Sequence, residues 1–318
     1  MNGGATVHGI HHVTCISGDA QENLNFYIGV MGMRLVKRSV NQDAIETYHF
    51  FYADGAGNPG SELTFFPWPH LAPARPGVGQ TVEILLAVPH GSLAYWRERF
   101  EQDNVSHGEQ EVRFGEATLP FVDPHGLPLA LVETDEWRGF VPWSDSAVPE
   151  EQQIRGVHAV RLLVADLQPT ERMLQRLGFA LVGVENGWHR YAVEDGLSGQ
   201  LVEVKADLQA GYARGGTGGT HHVAWRVRDG EELMAMREIV RQAGGYPTPE
   251  IDRFWFRSVY FREPGGVLFE LATDGPGFAV DEDPKHLGEK LILPPWLEPR
   301  REEIEAMLPP ISPPMPQR

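Results

Sequence analysis

Short runs in which apolar and polar residues alternate make up much of this chain, and stretches whose apolar residues recur with helical spacing interrupt them at intervals. Alternation predicts strands with one face on a core and the other turned towards a cavity, as in a half-open antiparallel sheet. The same order of elements returns four times. The first unit, from about residue 8 to 70, has strand GIHHVTCIS, a helix in DAQENLNFYIGVMG with Asp19 as its N-cap, strands around MRLVKRSV and ETYHFFYA, a turn at Asn58 to Gly60, and strand SELTFF. The second, about 80 to 135, has TVEILLAV, helix SLAYWRERFEQ, a turn from Asp123 to Gly126, and LPLALVE. The third, about 155 to 206, has GVHAVRLLV, helix PTERMLQRLG, FALVGVE, HRYAVE and QLVEVK. The fourth, about 219 to 275, has GTHHVAWRV, helix EELMAMREIVRQAG, RSVYF, a turn from Glu263 to Gly266, and VLFELA.

Each unit reads βαβββ, and pairs of such units would close into cupped barrels. The fold class expected is therefore α+β, with four βαβββ modules forming two domains around half-open β-barrels. Residues 1–137 would hold the first pair of units, 138–153 a linker broken by Pro, Ser and acidic residues, and 154–275 the second pair. The tail, 276–318, is rich in Pro but carries apolar PPWL and IEAML, so it is expected to pack.

Composition narrows the function classes. A formal charge of −17 would repel a nucleic-acid backbone or an anionic membrane surface. No apolar run reaches the roughly 18 to 20 residues that span a bilayer. The single cysteine, Cys15, cannot form an internal disulfide, and the N-terminal MNGGATVHG has neither the basic nor the apolar region of a secretion signal. A soluble cytoplasmic protein is expected, and a homo-oligomer stays open.

Candidate chemistry lies in the repeat itself. With the first strands aligned on their glycines, His12, Val82, Ala159 and His222 take one equivalent place, preceded by His11, Thr81, His158 and His221. Aligned last strands place Thr64 (Phe65 if the turn prolines are matched instead), Ala130, Glu203 and Glu270 together. If the first and fourth units share a cup, its inner set is His12, His222 and Glu270, with Thr64 in the fourth place. Two histidines and one carboxylate leave coordination positions open and favour non-haem Fe(II). Sequential pairing would instead gather His222, Glu203 and Glu270 and leave His12 idle. His11 and His221, alternating to the other strand face, would be either packed or donors that orient a ligand. His158 lacks a second histidine and reads as structural, and Cys15, flanked by cavity-facing Thr14 and Ile16, points to the core. Arg253 and Tyr260 could bind an anionic ring oxygen; a surface ion pair and core packing are their alternatives.

These features resemble the vicinal oxygen chelate superfamily, the glyoxalase, bleomycin-resistance and extradiol dioxygenase group, over nearly the whole chain. Within it, GIHHVTCISGDAQENLNFY, RLVKRSVN, PGSELTFFPWP, YFREPGGVLFELATDGPGF and DEDPKHLGEKLILPPW resemble hydroquinone-type ring-cleaving dioxygenases. The resemblance implies Fe(II), or Mn(II) in its place, held by His12, His222 and Glu270, with His11, Thr14, His221, Arg253 and Tyr260 lining the surroundings, and an aromatic substrate and dioxygen as partners. Ala159 stands where catechol-cleaving relatives have their first histidine, and Thr64 supplies no fourth ligand of the glyoxalase I kind unless Glu62 swings in. A glyoxalase-like lyase or isomerase, and a metal-free aromatic- or drug-binding module, are the rival readings.

Overall fold

The structure is a computed structural model that describes residues 5–134 and 139–314. Residues 1–4, 135–138 and 315–318, where the expected first half begins and meets the linker and where the tail ends, lie outside the described residues. The fold is α+β, with two curled eight-stranded sheets. The first unit supplies β1 (Ile10–Ser17), β2 (Arg34–Asn41), β3 (Ala44–Ala53) and β4 (Glu62–Pro67), and the second β5 (Gln80–Pro89), β6 (Glu111–Arg113), β7 (Glu116–Val122) and β8 (Pro128–Thr134). The third supplies β9 (Gly156–Val164), β10 (Ala180–Glu185), β11 (Trp188–Ala192) and β12 (Leu201–Ala206), and the fourth β13 (Gly219–Val227), β14 (Ile251–Asp252), β15 (Arg257–Arg262) and β16 (Leu268–Thr273).

One sheet runs β14-β15-β16-β13-β1-β4-β3-β2 and the other β10-β11-β12-β9-β5-β8-β7-β6. Unit 1 is thus joined to unit 4, and unit 2 to unit 3, through the antiparallel central pairs β1–β13 and β5–β9. Within a unit the first strand runs parallel to the last, as in β1–β4 and β13–β16. The connection between them must therefore cross over, and a helix does so in each unit.

Helices α1 (Ala20–Leu24), α2 (Leu93–Gln102), α3 (Leu167–Leu177) and α4 (Gly230–Gln242) make these crossings. Asp19 does cap α1, accepting from Glu22 N at 2.8 Å. The helix predicted through residue 32 instead widens into a π-helix over Asn25–Val30. Three successive residues there, Phe26, Tyr27 and Ile28, are all buried, which the narrow apolar stripe of a surface α-helix does not provide. Two polar ties lock the sheets to these crossings: Tyr27 Oη donates to Asp123 at 3.0 Å and Thr170 Oγ1 to Glu263 at 2.8 Å.

Strands β6 and β7 are absent from the hydrophobic pattern because their inward positions are charged: Arg113 pairs with Glu83 and Glu116 with Arg190. The segment after β16 plugs one end of the first cup. Phe278 packs on Phe51, and the fully buried Lys37 of β2 donates to Phe278 O at 3.1 Å and pairs with Asp281 and Glu282. No helix among the described residues is long and apolar enough to cross a membrane.

Candidate metal centre and substrate cavity

The two histidine pairs lie side by side on β1 and β13. Neighbouring residues of a regular strand point to opposite faces, yet both strands are bulged at the pair. Ile10 is opposite Trp225 and His12 opposite Ala224, so His11 is an extra residue; Thr14 is opposite His222 and Cys15 opposite Thr220, so His221 is another. The opposite-face placement expected for His11 and His221 is therefore overturned. His11 Nδ1 lies 2.9 Å from His12 Nδ1, and His221 Nδ1 lies 2.8 Å from His222 Nδ1.

The outer nitrogens of His12 and His222 converge on Glu270. Nε2 of His12 is 3.2 Å from Nε2 of His222, and Glu270 Oε2 is 3.3 Å from the first and 2.8 Å from the second. Ligands held about 2.1 Å from an ion at right angles to one another are about 3 Å apart, which this triangle matches. All three groups are buried, at 1%, 5% and 0% exposure respectively. Ser258 Oγ donates to Glu270 Oε1, while Oε2 has no hydrogen-bond donor of good geometry among the described residues. Burial alone would raise the Glu270 pKa, but His12 and His222 draw it well below the ordinary carboxylate value. An anionic oxygen without a donor, facing two imidazoles, is a fit for a cation.

The supporting hydrogen bonds select tautomers. The Thr273 carbonyl can only accept, so His11 Nε2 donates to it, at 3.1 Å, and His11 Nδ1 accepts from His12. That leaves a bare lone pair on His12 Nε2, the form a metal ligand needs. Burial and the neighbouring His12 push the His11 pKa down to about 3, so this ring is neutral at neutral pH. Burial likewise lowers His222, against the pull of Glu270.

A cavity of about 470 Å³ opens beside the triangle, walled by Phe51, Phe66, Trp68, Trp255, Phe256 and Leu268. Arg253 and Tyr260 line it: Arg253 Nε donates to Tyr260 Oη at 3.3 Å and its Nη2 to Asp43 at 2.8 Å. Burial, then Glu270, raises the Tyr260 pKa, so the phenol stays protonated. Thr14 Oγ1 is 2.8 Å from Thr64 Oγ1, which is 3.0 Å from His49 Nε2. His49 also lines the cavity, and sequence reasoning missed it: a histidine inside ETYHFFYA reads as one more core position. Burial and the nearby His12 and His222 hold it well below its ordinary pKa. Glu62 lies behind the triangle, close to His11 and His12; its Oε2 is 3.9 Å from His11 Nδ1.

The second sheet keeps the scaffold and fills the equivalent place with arginines. Its bulges fall at Val82 and His158, since Thr81 and Glu83 pair with Leu162 and Arg161, and Leu85 and Leu86 with Ala159 and Val157. Glu83, and not Val82, is therefore the counterpart of His12. The glycine alignment slipped because Gly79 takes its positive φ four residues before this place, whereas Gly9 and Gly156 do so three residues before theirs. Glu203, the counterpart of Glu270, receives Arg161 Nε at 2.6 Å and Arg190 Nη2 at 2.6 Å, and Arg161 also reaches Glu83 at 3.2 Å. Two guanidiniums occupy the space that a cation has available in the first cup.

Paired βαβββ units cupping two histidines and a carboxylate define a class of metal-binding scaffold. The chain belongs to the Glyoxalase/Bleomycin resistance protein/Dioxygenase superfamily, whose description matches residues 9–138 and 156–271. It is 44% identical over 316 residues to the protein of Bacillus subtilis named "Putative ring-cleaving dioxygenase MhqA", covering 96% of this chain and 99% of that one. It is 32% identical over 308 residues to the chlorohydroquinone/hydroquinone 1,2-dioxygenase of Sphingobium indicum, covering 94% and 95%. A crystal structure of a Bacillus subtilis protein named a "putative dioxygenase" superposes with a TM-score of 0.93 at 39% identity, covering 98% and 99%. Glyoxalase I from Zea mays, 16% identical with a TM-score of 0.63 over 84% of this chain and 92% of that one, shares the fold.

Proposed function

We propose that this protein is an Fe(II)-dependent dioxygenase that opens the ring of a hydroquinone-type aromatic with dioxygen, and that His12, His222 and Glu270 hold the metal. The observation that carries this is the buried triangle of two imidazole nitrogens and one carboxylate oxygen beside a large apolar cavity. A bound Fe(II) would supply Lewis acidity and electron exchange between an aromatic oxygen and dioxygen.

The chain's own residues do the rest. His11 fixes the orientation and tautomer of His12, and His221 orients the ring of His222, through their Nδ1 contacts. Phe51, Phe66 and Trp255 exclude water and press on a flat ring. Arg253, held by Asp43 and resting against Tyr260, faces an anionic ring oxygen, and the protonated Tyr260 phenol can donate to it. Thr14 bonds Thr64, keeping the fourth side of the site lined by neutral hydroxyls.

The glyoxalase-like reading needs a fourth protein ligand, and the register disfavours one. Thr64 is opposite Thr14 just as Glu270 is opposite Ala224, so a hydroxyl stands where the second carboxylate would be. The names of the Bacillus and Sphingobium relatives point the same way. The test is oxygen uptake by anaerobically purified, iron-loaded protein on hydroquinones, catechols and the methylglyoxal–glutathione adduct. Uptake fastest with a hydroquinone is expected. Faster uptake with catechols, or isomerisation of the adduct without uptake, would overturn the proposal.

A further inference from the structure

The approximate two-fold axis relating units 1 and 4 shows what stands opposite Glu270. Tyr260 is paired with Glu270, and Phe51 with Thr64, so Ser258 and His49, each two residues earlier on its strand, are counterparts. Both reach across to the counterpart on the last strand: Ser258 Oγ to Glu270, and His49 Nε2 to Thr64 Oγ1 at 3.0 Å. Where one side of the cup carries a carboxylate held by a serine, the other carries a threonine with an imidazole above it.

The His49 ring is fixed on both sides. Its centroid lies 3.8 Å from that of Phe51 and 4.4 Å from that of Phe66. Nδ1 has no protein hydrogen-bond partner among the described residues, and the residue lines the cavity. The Thr14 and Thr64 hydroxyls can each donate or accept, so the imidazole can present Nδ1 as donor or acceptor while remaining neutral. A rigid ring with one committed nitrogen and one free nitrogen is suited to a polar feature of the ligand in an otherwise apolar wall.

We propose that His49 is a specificity residue that hydrogen-bonds the second hydroxyl of the aromatic substrate, a contact that favours dihydroxylated rings over phenols. This rests on the dioxygenase reading above. It places a polar contact on the side of the cup opposite Ser258 and Glu270.

The test is anaerobic titration of the iron-loaded protein with hydroquinone and with phenol, followed by the fluorescence of Trp68 and Trp255 in the cavity wall. His49→Phe keeps the stacked ring and removes both nitrogens. It should bind hydroquinone about tenfold more weakly, the loss of one hydrogen bond, with phenol affinity and iron content unchanged. His49→Gln, which returns a donor and an acceptor, should recover part of the preference. Equal losses for both ligands would mean a packing role and overturn the proposal, as would an unchanged ratio. If His49→Phe sheds iron, the same ratio measured in His49→Leu decides by the same criteria. Wild-type protein that binds hydroquinone no better than phenol would overturn this assignment alone if hydroquinone still drives oxygen uptake, and the dioxygenase reading as well if it does not.

Discussion

A histidine binds a metal only through an unprotonated nitrogen, and for His12 that nitrogen is set by its neighbour. His11 gives its one proton to the Thr273 carbonyl, and this forces the His12 proton onto Nδ1. His11→Phe removes the acceptor while keeping a flat ring against both His12 and Phe256. It should weaken metal binding by about ten- to a hundredfold, the usual cost of losing an orienting partner, as read by competition with a chromogenic chelator. Wild-type affinity in this variant would return His11 to a packing role. The doubled histidines were legible because they recur at equivalent places in a repeat, which a lone core histidine would not. His49 was not legible for the complementary reason: its chemistry comes from strand register, which puts it over Thr64, and the apolar run around it hides that.

One device at the element scale, the β-bulge, lies beyond reading by alternation. A bulge adds one residue without changing composition, so the sequence could show two adjacent histidines but not that both turn to one side. The second cup shows the same limit, since the shifted bulge at Val82 brought Glu83, not Val82, into the inner row. That register makes Glu203 and Glu270 separable. Glu270→Gln should lose most bound iron and nearly all ring cleavage. Glu203→Gln should keep both, yet lower stability by about 1.5–3 kcal/mol, because Arg161 and Arg190 lose a shared buried carboxylate and keep only Glu83 and Glu116 as charged partners. Metal analysis and denaturant unfolding of the two variants separate these outcomes, and iron loss in Glu203→Gln would place the metal elsewhere.

A second element-scale prediction concerns the segment leading into β1. His8 bonds Glu194 and, at 2.9 Å, Glu232 near the start of α4. Burial alone would lower the His8 pKa, but the two carboxylates raise it above its ordinary value. A group whose folded pKa is raised stabilises the fold fully below its unfolded pKa, and that contribution fades as pH rises through the folded value. The stability advantage of wild type over His8→Asn should therefore be largest near about pH 5 to 6 and shrink towards about pH 8. Thermal unfolding of both proteins across that range checks the sign, and an advantage that grows with pH would contradict it.

At the scale of the whole molecule, the repeat of four βαβββ units was visible in the sequence, while their partners were not. Adjacent units are tied by contacts such as Tyr27 to Asp123 and Thr170 to Glu263, but the sheets join first to fourth and second to third. Only the β1–β13 pairing brings residues 12 and 222 within reach of one another, and it leaves the second cup to be filled by ion pairs. The fold therefore carries two copies of one scaffold, one of them proposed as catalytic and the other closed by arginines. The most direct test of that catalytic cup is the mass of the product formed from hydroquinone under isotopically heavy dioxygen, with the product reduced at once so that aldehyde oxygen does not exchange with water. A ring-opened product carrying both heavy oxygen atoms is expected. A product with one heavy atom or none, or an intact ring, would contradict the proposed ring-cleaving dioxygenase.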